Sequence, residues 1–214
     1  MTDPVKSPRR YDASRRRSQA RHRRQKVLGV AREIFLRDGY AATTVAAIAT
    51  AADVSVETIY KTFGGKAGLI REIQAAALGG TGPVPAPQRS DHMSASETDP
   101  AAVLRNWATL ATEVAPAVTP IIRLVRDAAA TDPDMATLLD DIDAQRLARM
   151  THNARRLISH LPSTISVEHT RDVLFTYTAP EIYELLVLAR GWSVEQYAEF
   201  IYRGMAAQLL RPAE

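Results

Sequence analysis

Residues 43–70 read TTVAAIATAADVSVETIYKTFGGKAGLI. Apolar residues recur at helical spacing twice in this stretch, in Val45, Ile48, Ala49, Ala52 and again in Val56, Ile59, Tyr60, Phe63. An i, i+3, i+4, i+7 stripe marks an amphipathic helix. Asp53-Val54-Ser55 separates the two stripes, and Thr43 or Thr44 and then Ser55 offer side-chain caps for the helix starts. Gly64-Gly65 ends the second helix, and Lys66 opens a third with Leu69, Ile70 and Ile73. Two short helices across a tight break form a helix-turn-helix, the layout that lays one helix in a DNA groove.

A reading helix must bury one face, present short side chains to base edges and anchor its ends to phosphates. Ile59 and Phe63 suit burial. Val56, Glu57 and Thr58 begin the helix outward: Val56 suits a thymine methyl, Glu57 accepts from cytosine N4, and Thr58 bonds either base type. Thr62 lies one turn further. Thr44, Tyr60 and Lys66 are phosphate donors, and Thr44 and Lys66 stand at helix N-termini, which favour anions. Each has a plainer reading as cap, core phenol or solvated charge; their conjunction points to nucleic acid.

Upstream, the helical stripe Val27, Val30, Ala31, Ile34, Phe35 ends at Gly39. Residues 1–30 carry ten Lys or Arg against Asp3 and Asp12, a segment charge of +8 that leaves −5 for the rest of a chain whose net is +3. One basic end on an acidic body suggests a polyanion at that end. Residues 1–17 are expected to form a disordered basic arm, with Arg15, Arg16 and Arg17 adding phosphate or minor-groove contacts.

Downstream, residues 18–78 form the DNA-binding domain, residues 79–99 (Gly-, Pro- and Ser-rich) a linker or loop, and residues 100–214 a second helical domain. Asp99-Pro100 starts its first helix. Pro116 and Pro120 bracket a kink or new start. Thr131-Asp132-Pro133 opens a long helix to about His160, Ser166 opens another, and Ala179-Pro180 interrupts the pattern. Ser193 with Gln196 is a capping box. No strand run or repeat occurs, so the fold class is all-α.

The stretch from Val27 to Glu72 resembles the N-terminal domain of the TetR family of transcriptional regulators. The resemblance rests on Ala31, Phe35 and Gly39, on Thr44 to Ala49, on Val54-Ser55 and on Thr58 to Leu69. Ala179 to Tyr183 and Arg190 to Ser193 also resemble a subset of that family. It implies a three-helix DNA-binding head on a larger effector-binding and dimerisation body. By position, Thr44, Tyr60 and Lys66 become phosphate contacts, and Val56, Glu57, Thr58 and Thr62 base-reading positions. The chain departs from the family pattern at Asp53, where Gly is common, and at Gly65, where a polar cap is usual. The resemblance makes Trp107, Ile121, Leu124, Val125, Leu138, Ile142, Met150, Phe175 and Tyr177 candidates for an effector pocket. It makes Tyr183, Leu186, Trp192, Tyr197, Phe200 and Ile201 candidates for a dimer interface.

The implied protein is a dimeric repressor that leaves a palindromic double-stranded DNA operator on binding an unidentified small molecule. The alternative is a DNA-binding regulator or architectural protein without an effector. Enzymatic motifs are missing: there is no Gly-rich phosphate loop, nucleophile motif or metal spacing, so neither cofactor nor metal is expected. Cysteine is absent, which excludes disulfides and a Cys nucleophile. With no apolar run of membrane-spanning length and no secretory pattern, the expected location is the cytoplasm, with no membrane partner.

Overall fold

The computed structural model describes residues 10–210, with side chains from residue 15. The described residues are helical with no strand. They form two compact units that divide in sequence between Glu72 and Ile73, inside a helix, rather than at the expected boundary near residue 79.

The first unit holds α1 (Arg10–Ala42), α2 (Val45–Ala52), α3 (Val56–Phe63) and the start of α4 (Lys66–Leu78). α1 begins at Arg10, so Arg15, Arg16 and Arg17 lie on a helix rather than in an irregular arm. Arg and Lys are good helix formers, and this extension continues an established helix without new nucleation. Residues 1–9 of the expected arm lie outside the described residues. At Gly39 (φ 81°, ψ 167°) the helical backbone breaks, where the sequence placed a stop. Val27, Ala31, Ile34 and Phe35 from α1 share a core with Val45, Ile48 and Ala49 from α2, Ile59 and Phe63 from α3, and Leu69 and Ile70 from α4.

The second unit holds the rest of α4, then α5 (Ala86–Ser96), α6 (Pro100–Ala129), α7 (Pro133–Leu157), α8 (Val167–Tyr177), α9 (Pro180–Tyr183) and α10 (Val194–Leu209). A 3₁₀ turn, Ile158–His160, follows α7, and a π-helical segment, Glu184–Ala189, follows α9. α6 packs against α7 and α10, and α8 packs against α7 and α10. The core draws on Val103, Leu104, Trp107, Leu157, Leu174, Tyr183, Tyr197, Ile201, Met205 and Leu209.

Two expectations for this unit are corrected. Residues 86–96, assigned to the linker, form α5. Its composition argues against a helix, but Ala86 and Ser90 are buried, and Ser94 and Ser96 return their hydroxyls to the carbonyls of Ser90 and His92, both at 3.0 Å. Packing overrides a weak propensity. Of the kink or new start expected at Pro116 and Pro120, the new start does not occur: α6 runs for 30 residues through both. They deprive the carbonyls of Thr112 and Pro116 of their usual donors. Burial of flanking residues from Val103 to Val125 holds the helix through that loss.

By length and composition α6 could cross a membrane. Its apolar stripe, Val103, Leu104, Trp107, Ala108, Val118, Ile121, Ile122 and Val125, is instead buried within the unit.

The corner between α3 and α4 tolerates no side chain at Gly68. A Cβ there would lie 1.6 Å from the Phe63 carbonyl oxygen, a backbone atom that cannot swing away. Gly68→Ala is expected to destabilise the first unit by about 3 kcal/mol or more, the upper end of overpacking costs. A thermal melt that matches wild type would show the corner to be adjustable.

Candidate nucleic-acid interface and body cavity

The helix-turn-helix is built from its caps. The Thr44 hydroxyl accepts from the Ala47 N–H at 3.1 Å. Capping uses a lone pair and leaves the exposed Thr44 hydroxyl proton for an anion. Asp53 takes the left-handed conformation (φ 58°, ψ 53°) that the turn requires, which Asp tolerates better than most residues. Ser55 caps α3 by accepting from the Thr58 N–H at 3.1 Å.

Ile59 and Phe63 are buried, which fixes the rotation of α3. Glu57 and Lys61 are exposed and Thr58 is half-buried; at 100° per residue they point away from Ile59 and Phe63. The Thr58 hydroxyl is already shared with the Ser55 hydroxyl at 2.8 Å. Exposed Val56, Tyr60 and Thr62 flank this face. Lys61 was not among the residues singled out from sequence. The signal was available, because Lys61 lies one turn after Glu57 on the same face.

Tyr60 is 56% exposed, and its ring lies over Gly65, where an added Cβ would sit 3.3 Å from the ring. Gly65 has φ 106°. Glycine is thus required where the family pattern has a polar cap, and it seats the phenol. Lys66 is partly occupied: its ammonium donates to the Tyr40 carbonyl at 2.7 Å and lies 4.0 Å from the centre of the Tyr40 ring. An ammonium has three donors, so the bond to Tyr40 positions Lys66 without exhausting it.

Arg24 also has a structural task, pairing with Glu72 at 2.7 Å and lying over the Phe63 ring. Arg15, Arg16, Arg17, Arg21, Arg23 and Lys26 are exposed along α1. Ser18, Gln19, His22, Arg23 and Lys26 line a crevice that Ala52 and Asp53 close on the other side. The unit therefore joins a cationic helix to a capped helix with an exposed polar face.

The second unit contains a partly open cavity of about 330 Å³, within the range of small-ligand sites. α4 contributes Gln74 and Leu78, and α5 contributes Ala86, Pro87 and Ser90. α6 contributes Trp107, Leu110, Ala111, Val114, Ala115, Val118, Thr119 and Ile122. α7 contributes Ile142, Gln145, Arg146, Arg149, Met150 and Asn153. Leu174, Thr178, Pro180 and Tyr197 complete the wall. Trp107 Nε1, Thr119 Oγ1 and Asn153 Oδ1 are buried without a protein hydrogen-bond partner. Such groups are rare in native interiors and call for an explanation.

Trp107, Ile142 and Met150 of the expected lining border this space. Ile121, Val125 and Leu138 do not; they are buried in solid core. Leu124 is also outside the lining. Phe175 lies beneath Arg146, whose guanidinium is 3.7 Å from the ring centre. Tyr177 packs on Gly204, where an added Cβ would sit 2.0 Å from the Tyr177 ring. Helical periodicity reports burial and cannot say which buried residues border a void. Arg146, Arg149 and Asn153 were missed because a ligand search along an apolar stripe passes over polar residues. Their signal was polarity at stripe positions between Ile142 and Leu157.

Three expected interface residues belong to the protomer's own interior. Tyr183, Tyr197 and Ile201 are buried, with the two phenol rings edge to face at 5.3 Å. Burial pushes the Tyr197 phenol up to about 12, so it stays neutral in the cavity wall. Leu186 and Trp192 are half-buried. Phe200 is exposed and meets Trp192 edge to face at 5.8 Å. Leu185 and Leu188, on the π-helical segment, are the more exposed apolar residues.

A clasp fastens the α5 wall. Both Glu113 carboxylate oxygens bind Arg89, at 2.5 and 2.8 Å, and Glu113 also accepts from the backbone N–H groups of Thr81 and Gly82. On the other side of α5, Arg149 and His152 meet Asp91 at 2.9 and 3.1 Å. His152 thus takes part in this second tie.

Residues 27–73 match the family model described as bacterial regulatory proteins, tetR family. No curated protein matches the chain. Among solved structures, a TetR-family regulator from Syntrophomonas wolfei is similar over 88% of this chain and 95% of its own, at 17% identity and a TM-score of 0.70. NalD of Pseudomonas aeruginosa, the secondary repressor of the MexAB-OprM multidrug efflux pump, is similar over 90% and 99%, at 18% identity and a TM-score of 0.68. The family match thus falls within the first unit and the start of the second, and the chain shares the fold of these solved structures over most of its length.

The clasp has a defined pH dependence. Hydrogen bonds from Arg89, then from Thr81 and Gly82, hold the Glu113 carboxyl at about 2 against an ordinary 4.5. The folded value is the lower one, so the clasp stabilises fully above 4.5 and is lost as pH falls from there through 2. Glu113→Gln should lower the melting temperature at neutral pH and flatten the acid limb of the stability curve. Superimposable acid limbs would show that the clasp contributes nothing.

Proposed function

We propose that this protein, with its tetR-type head on a helical body, is a dimeric transcriptional repressor that a small molecule releases from a palindromic operator. It would act in the cytoplasm. The observation that carries the DNA reading is the rotation of α3: Ile59 and Phe63 are buried while Glu57, Thr58 and Lys61 face outward. Only that rotation brings side chains to base edges. Val56 and Thr62 read at the margins, and Thr44, Tyr60 and Lys66 hold phosphates. Arg15, Arg16 and Arg17, exposed on α1, add backbone contacts.

The body cavity supports the effector. A fully packed body would favour a regulator without one, yet this cavity leaves buried polar atoms unmatched. A ligand releases DNA only if it binds the DNA-incompetent arrangement more tightly than the competent one. The repressor sign follows the likeness to NalD. Leu185, Leu188, Trp192 and Phe200 supply an apolar face for a second copy; exposed apolar patches of this kind mark interaction sites. Two-fold symmetry then gives two equivalent heads and two half-sites about one DNA turn apart.

Selection of bound sequences from random DNA should yield a palindrome. Failure to enrich any site would overturn the DNA reading, and a single half-site would overturn the dimer on DNA. On the selected site, alanine at Arg15, Arg16 and Arg17 together should lower the log–log salt slope by up to about 3, at about 0.9 per phosphate contact. An unchanged slope removes those arginines from the interface.

Leu188→Glu places a charge in the proposed dimer face, 53% exposed in the protomer. It should shift the sedimenting species from dimer to monomer while leaving helicity intact. Persistence of the dimer would locate the interface elsewhere.

A further inference from the structure

Of the side chains that line the body cavity, the charged ones are Arg146 and Arg149; no carboxylate is among them. The two arginines differ in their partners. Arg149 is paired, to Asp91 at 2.9 Å, and also donates to the Pro87 carbonyl at 2.7 Å. Arg146 donates to the Phe175 carbonyl and lies on the Phe175 ring, but no carboxylate of the described residues reaches it at ion-pair distance. Asp143 and Glu181 act on it only from further away, and Glu181 is held by Arg126 at 2.5 Å. Burial is the largest influence on the Arg146 guanidinium and holds its pKa below the ordinary value.

A guanidinium stays charged and offers five donors in a flat fork. Withdrawing it from water without a counter-ion is costly. Asp143 and Glu181 lie beyond ion-pair distance among the described residues, and the cavity beside it offers room for a closer anion. The rest of the wall is mostly apolar, with Leu78, Leu110, Val114, Val118 and Ile122 among its members. The unmatched atoms of Trp107, Thr119 and Asn153 belong to residues that are 5%, 0% and 5% exposed. They add a donor, a hydroxyl and an amide to the same wall. A volume of about 330 Å³ corresponds to about eleven water-sized groups.

We propose that the cavity binds an amphipathic carboxylate, an apolar body with a single negative group docked on Arg146. This rests on the reading of the cavity as an effector site. A cationic ligand meets two arginines and no acid there. A polyanion finds only one arginine unpaired and an otherwise apolar wall. A single carboxylate matches the guanidinium fork through two parallel hydrogen bonds and leaves an apolar remainder to fill the space between α6 and α7.

The test uses the full chain and direct calorimetry with decanoate and phenylbutyrate, each beside its neutral amide and its amine. The carboxylates should bind about tenfold or more tightly than their amides, and the amines least. Arg146→Gln should erase the preference for carboxylate over amide, and Arg146→Lys should retain part of it, with circular dichroism confirming the fold of both. Equal binding of carboxylate and amide by the wild-type chain overturns the proposal without any variant. So does a preference that survives in Arg146→Gln, or no binding by either carboxylate. Release of the selected operator is measured separately. A carboxylate that binds through Arg146 but leaves DNA affinity unchanged upholds the chemistry of the cavity and sinks the effector reading alone.

Discussion

The apolar stripe of α6 is the constraint on which the body depends. From Val103 to Val125 it faces α7 and α10, and that burial outweighs the two backbone hydrogen bonds that Pro116 and Pro120 remove. The same helix supplies Trp107 and Thr119 to the cavity and Glu113 to the clasp that fastens α5. Packing thus determines where the wall lies, and the wall places polar atoms that no protein neighbour satisfies.

The head obeys a parallel constraint on a smaller scale. Burying Ile59 and Phe63 sets the rotation of an eight-residue helix too short to be stable alone. The exposure of Glu57 and Lys61 follows from that rotation. The caps at Thr44 and Ser55 and the left-handed Asp53 fix where the two helices begin and end. Gly65 and Gly68 then let the chain turn closely enough for Tyr60 and Lys66 to take their places at the corner. Groups read from sequence as DNA contacts also hold the head together: Thr44 is a cap and Lys66 a tie to Tyr40. Each retains hydrogen-bonding capacity after that task.

Local features were legible because local physics sets them. Hydrophobic periodicity, the caps and the capping box at Ser193 and Gln196 depend on residues a few positions apart, and they reappear in the structure. α5 was not legible, since its helix is held by burial of Ala86 and Ser90 and not by propensity. The π-helical segment 184–189 carries no distinctive residue pattern. Arg146 went unnoticed for a related reason: a polar residue near an apolar stripe reads as the edge of a helix face until the neighbouring helices show that it borders a cavity.

By itself the sequence determined the all-α class, the helix-turn-helix, the outward residues Glu57 and Thr58, and the cationic charge of the first helix. These depend on spacing along one chain. Tertiary structure decided that Tyr183, Tyr197 and Ile201 lie inside the protomer while Leu185, Leu188 and Phe200 face out. It also decided that Trp107, Asn153 and Arg146 share a cavity while Ile121, Val125 and Leu138 do not. The reason is that a helix's own period tells how many of its residues must be buried. Only the helices packed around it determine whether each meets core, void or solvent.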